Sequence, residues 1–178
     1  GDTYVGKSEF FRRLLPSPFD KYYAESALDR EKDSELLMCE NLIVNVDELA
    51  GIMKSPANVE KFKALTSTQY FTIRVPYGKA NERFRRKAML CGTSNKLDVI
   101  QDHDSGNSRI IPVEILSINK DKYNAINRDA LFGAIALKYR ELGDDSISLN
   151  AEELEVLKSL SSEYTTLNVE QELILQHL

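Results

Sequence analysis

The first eight residues, GDTYVGKS, constrain the fold of this chain more than anything that follows. Gly1, Gly6, Lys7 and Ser8 match G-x-x-x-x-G-K-[ST], a loop whose backbone N–H groups wrap phosphate oxygens at the N-terminus of a helix. Such a loop hangs from a buried strand and opens a helix, so the match points to a layered α/β domain. The strand expected before the loop is not among these residues, so the expectation is either an excised fragment or a Gly1 left over from cloning. A phosphate loop needs both flanks fixed, and the piece alone is expected to show weak or no activity. Residues 8–15 (SEFFRRLL) supply the helix, closed by the prolines of PSPF.

The pattern downstream agrees with that class. Residues 29–38 read as a helix, and NLIVNV (41–46) is a short β-branched run of the kind that forms a buried strand. In SPANVEKFKAL, Asn58 is the candidate cap of another helix. The stretch from Gln69 to Asn95 has strand-like ends around a Pro-Tyr-Gly turn, which predicts a hairpin or a strand, an excursion and a second strand. RIIPVEIL (109–116) reads as a further strand. Beyond it the pattern is helical: 128–142 closes at Gly143, and 150–164 opens with Asn150 and Glu153 in a capping box. The expectation is a phosphate-loop sheet over 1–118 and a helical extension over 119–178.

Composition narrows the function classes. Cys39 and Cys91 stand far apart and His103 and His177 are isolated, so no zinc site is expected and a reduced, cytoplasmic chain is the simplest reading. The longest apolar stretch, LFGAIAL at 131–137, is too short to cross a bilayer, and no membrane partner is expected. The net charge of −5 hides an asymmetry, with −8 carried by residues 141–178 and +3 by the rest. A basic body permits an anionic partner.

Three further windows carry chemistry. In LIVNVDEL, Asp47 and Glu48 follow the apolar strand, where one carboxylate can hold Mg²⁺ with the Ser8 hydroxyl and the other can polarise an attacking water. The same pair could simply cap the next helix. In CGTSN, Asn95 is placed to orient that water, or it is an ordinary turn asparagine. Arg109 starts the 109–116 window after a Gly-Asn turn, from which a guanidinium could reach a γ-phosphate or form a structural salt bridge.

Read together, GDTYVGKSEFFRRLLP, NLIVNVDELAGI, FKALTSTQYFTIRVPYGK, CGTSNKLDVIQDHDSGNSRIIPV and RDALFGAIALKYRELGD resemble, in that order, the virulence-associated protein E family. That family is similar to the superfamily 3 helicases among P-loop ATPases. The resemblance covers roughly residues 1–164. It implies ATP and Mg²⁺ as cofactors, Gly1, Gly6, Lys7 and Ser8 as the Walker A residues, and Asp47 with Glu48 as Walker B. It also implies Asn95 as sensor and Arg109 as an arginine finger acting across a ring-shaped homo-oligomer. Where the family usually carries a second arginine beside the finger, this chain has Ser108.

Residues 74–87 (RVPYGKANERFRRK) carry a local charge of +5, with Tyr77 and Phe84 interleaved. Cations for phosphates and aromatics for bases suit single-stranded or duplex DNA, which makes Arg74, Tyr77, Lys79, Arg83, Arg85 and Arg86 candidate contacts. A solvated basic turn with Phe84 buried is the plain alternative. The expected function is an ATP-hydrolysing, DNA-acting motor of a phage- or mobile-element-type replication protein. The alternatives are a non-enzymatic DNA-binding module with a vestigial loop and, with less support, a P-loop small-molecule kinase.

Overall fold

The computed structural model describes residues 6–28, 31–74, 80–96, 100–101, 110–143, 149–162 and 164–166. They fall into two compact units, one from Lys7 to Asn95 and one formed from Lys96 onward together with Gly6.

The first unit starts with helix α1 (Lys7–Arg12), a 3-10 turn (Ser17–Tyr22) and strand β1 (Tyr23–Glu25). Helix α2 (Glu31–Glu40) leads to β2 (Ile43–Val46), followed by α3 (Leu49–Ile52) and α4 (Pro56–Ser67). A hairpin of β3 (Tyr70–Ile73) and β4 (Glu82–Arg85) precedes β5 (Met89–Gly92). Strands β1, β2 and β5 form a parallel sheet in that order, and among the described residues β3 pairs with β4 alone, antiparallel.

Every residue of β2 is buried, because a central parallel strand is covered on both faces and reads as an unbroken apolar run. Asn45 is the polar exception and is fully buried. In α4, Val59, Phe62 and Leu65 recur at three-residue spacing and form its buried face. The hairpin alternates instead: Phe71 and Ile73 are buried, Tyr70 and Thr72 exposed.

In the second unit, β6 (Ile100–Gln101) pairs in parallel with β7 (Thr165–Thr166). Between them lie α5 (Lys120–Asn124), α6 (Arg128–Leu142) and α7 (Ala151–Ser162). The Asn127 side chain accepts from the Ala130 N–H at 3.0 Å, and α6 ends at Gly143, whose φ of 69° suits glycine. In α7 the capping box forms in both directions, Glu153 N–H to Asn150 at 2.9 Å and Asn150 N–H to Glu153 at 2.8 Å.

Two expectations are corrected. Residues 110–116 form no strand: Pro112 lacks a ladder donor, and Ile111, Val113 and Leu116 are exposed. An apolar, β-branched composition without a pairing partner does not make a strand. Asn58 does not cap α4; Ser55 is the N-cap, Pro56 opens the helix, and the Asn58 amide instead donates to the Ile52 carbonyl at 3.1 Å. Strand β1 and helix α5 were not foreseen, since each is too short to show a period.

Candidate functional site

The site is built by strand register. Val46 of β2 pairs with Gly92 of β5, so the next residues along, Asp47 and Thr93, emerge side by side at the C-terminal edge of the sheet. That edge is where open parallel sheets bind ligands. Leu49 N–H donates to the Thr93 carbonyl at 2.8 Å, and Thr93 N–H donates to the Val46 carbonyl at 3.0 Å, which ties the Asp47-Glu48 turn to β5. Between these bonds Glu48 is left-handed, with φ 50° and ψ 43°. For a residue with a Cβ that conformation costs about 1–2 kcal/mol, and the surrounding bonds hold it.

Gly92 lets the turn approach this closely. A Cβ there would lie 2.5 Å from Leu49 Cδ2 and 3.1 Å from Leu49 Cβ.

Helix α1 brings Lys7 and Ser8 to the same edge. Lys7 Nζ donates to Asn95 Oδ1 at 2.5 Å, and Asn95 Nδ2 donates to Glu48 Oε1 at 2.6 Å. Ser8 Oγ donates to Asp47 Oδ1 at 3.3 Å, and the Thr93 hydroxyl donates to the same oxygen. One ammonium, two carboxylates, two hydroxyls and one amide thus meet in two hydrogen-bonded sets. At the far end of α1, Arg12 pairs with Glu25 of β1 at 2.8 Å; this hydrogen bond raises the pKa of the exposed guanidinium. So exposed a pair adds little stability, but it links α1 to the sheet at a second point.

Gly6 precedes α1 with φ 95°, a conformation that suits glycine. Gly1, Tyr77, Lys79 and Arg109 lie outside the described residues. Arg74, Arg83 and Arg85 are exposed, and Arg86 is half-buried. Phe84 is also half-buried and faces Phe71 across the hairpin, on the face opposite Arg83 and Arg85.

Two residues escaped the sequence reading. Thr93 matters through its position next to Asp47, which only strand pairing reveals. Tyr70 is exposed, lies directly opposite Arg85, and carries the Arg83 guanidinium 4.3 Å from its ring centroid. A period-two reading from the buried Phe71 and Ile73 would have put Tyr70 outside.

The thiols supply no nucleophile here. Burial pushes Cys91 up to about 11 and raises Cys39, so both stay protonated at neutral pH. Among the described residues no group of three or more His, Cys, Asp or Glu side chains could hold a metal. The pairing of Ser8 with Asp47 nonetheless suits Mg²⁺, which keeps most of its water and takes one or two protein oxygens alongside phosphate. No helix among the described residues is long and apolar enough to cross a membrane.

A search of curated proteins gave no match. The model of the virulence-associated protein E-like domain matches residues 1–166, nearly the whole chain, and includes every residue of this site. The chain belongs to the virulence-associated protein E-like domain family.

Proposed function

We propose that this chain is an ATP-hydrolysing motor domain that acts on DNA within a replication protein of a phage or mobile element. One observation carries the reading: Lys7, Ser8, Asp47, Glu48 and Asn95, spread over 89 residues of sequence, share two hydrogen-bonded sets at one edge of a parallel sheet. Family membership supports the replication context.

In this mechanism the Lys7 ammonium leaves Asn95 and pairs with the β- and γ-phosphate oxygens. Ser8 and Asp47 would hold Mg²⁺, which when bound would supply positive charge to the phosphates. Glu48 accepts a proton from the attacking water, and Asn95, already bonded to Glu48, orients that water. Arg109 of a neighbouring subunit supplies a guanidinium to the transferring phosphoryl group, which makes the active form a homo-oligomer.

The test is nucleotide binding and phosphate release by the wild type and two variants. Glu48→Gln should keep ATP binding and lose turnover by about 10²–10⁴-fold, whereas Lys7→Ala should lose binding. ATP affinity that is unchanged by Lys7→Ala would sink the motor reading. Phosphate transfer to nucleosides in place of release would favour the kinase class.

The hairpin supports DNA as the partner, because Tyr70, Arg83 and Arg85 share one exposed strand face. Arg83→Ala with Arg85→Ala should weaken single-strand binding and flatten the log–log salt slope by roughly one to two. An unchanged slope would remove this face from the interface. Loss of DNA binding with no ATP binding in the wild type would favour the non-enzymatic module.

A further inference from the structure

Thr93 makes three hydrogen bonds to one short turn. Its N–H and carbonyl bind Val46 and Leu49, and its hydroxyl donates to Asp47 Oδ1. Any residue but proline could make the two backbone bonds; only the third depends on the side chain. Thr93 is 4% exposed, whereas Asp47 is exposed, so the donor is fixed and the acceptor is the group that would otherwise move. Burial and the two backbone bonds fix the Thr93 backbone, so the hydroxyl is held beside Asp47.

The two hydroxyls at this carboxylate are not equivalent. Ser8 reaches Oδ1 from α1 at 3.3 Å, near the limit for a hydrogen bond, and is itself half-exposed. Thr93 is part of the buried sheet edge. Both bind Oδ1 and neither engages Oδ2.

We infer that Thr93 is a positioning residue, which anchors Asp47 Oδ1 so that Oδ2 is presented to the water shell of a divalent cation. Ser8 can exchange its contact when the cation arrives, while Thr93 stays. This rests on the proposed nucleotide site and assigns to it a residue that touches neither nucleotide nor cation. Partners that orient metal-binding carboxylates typically change metal affinity by 10–100-fold when removed.

The experiment measures Mn²⁺ binding by electron paramagnetic resonance, with and without ATP, in the wild type, Thr93→Val and Thr93→Ser. ATP affinity in EDTA and thermal unfolding are measured alongside. Thr93→Val keeps the β-branch and volume but not the donor; it should weaken Mn²⁺ binding about tenfold or more. Its metal-free ATP affinity should stay within about twofold, and Thr93→Ser should bind Mn²⁺ within about threefold of wild type, since the hydroxyl is kept. If the valine variant does not fold, Thr93→Cys, with a weak thiol donor, takes its place with the same expected loss.

Wild-type Mn²⁺ affinity in Thr93→Val, or an equal loss in a folded Thr93→Ser, overturns the assignment. If the wild type binds no ATP, the nucleotide reading fails by itself. The assignment is then decided by Mn²⁺ alone: weaker binding in Thr93→Val supports it, and no difference, or no wild-type binding, ends it.

Discussion

The Lys7–Asn95 unit and the helices after Lys96 are stabilised in different ways. All the buried apolar side chains among the described residues except Leu157 lie between Leu15 and Cys91. Met38, Val44 and Val46 have almost no exposed surface, so the sheet region owes its order to contacts between residues far apart in sequence. Helix α6 buries none of its residues, and Leu131, Ile135, Leu137 and Leu142 are 40–60% exposed. Its visible order is local: an asparagine cap at the start and a glycine at the end. The first kind of order can hold side chains from distant windows at fixed distances, and the proposed chemistry needs that. The second kind keeps a helix together but brings no distant residues to one point.

Substitutions at the tightest contact should show the difference most strongly. Gly92→Ala forces a methyl group against Leu49, and overpacking of this kind costs about 1–3 kcal/mol. Denaturant unfolding should register that loss, and the proposed phosphate release should fall with it, because the Asp47-Glu48 turn shifts. Adding Leu49→Ala should recover part of the turnover. A Gly92→Ala variant with wild-type stability and turnover would show that the close approach is unimportant.

The effect in the helical region should be smaller and should stay where it is made. Asn150→Ala removes one half of the capping box and should cost α7 about 1 kcal/mol, visible as faster hydrogen exchange in its first turn and nowhere in β2. Leu137→Ser on the exposed surface of α6 should change stability by less than about 0.5 kcal/mol. A larger loss from Leu137→Ser would mean that this surface is covered in solution, and would weaken the contrast between the two regions.

Much of the site was legible in the chain. Gly6, Lys7 and Ser8 sit in a spaced motif, and Asp47 and Glu48 follow an apolar run whose β-branched residues mark a strand. Asn95 was one choice among three polar residues, and the structure joins it to both Lys7 and Glu48. Thr93, its neighbour by two positions, was not separable from Ser94 by composition. The 109–116 window failed for a related reason. Its residues have strand character, but strand formation depends on a partner that composition does not record.

The sequence by itself determined what is local: the helix that opens at Lys7, the buried character of Ile43–Val46, and the caps at Asn127 and Asn150. Backbone preference, hydrophobic period and side-chain capping act over a few residues and can be read from a few residues. Only the tertiary structure decided that Val46 faces Gly92, that Thr93 therefore meets Asp47, and that Tyr70 lies open beneath Arg83. Register and contact are set by how the whole core packs, and a one-residue slip in a strand would turn each of these side chains to the opposite face.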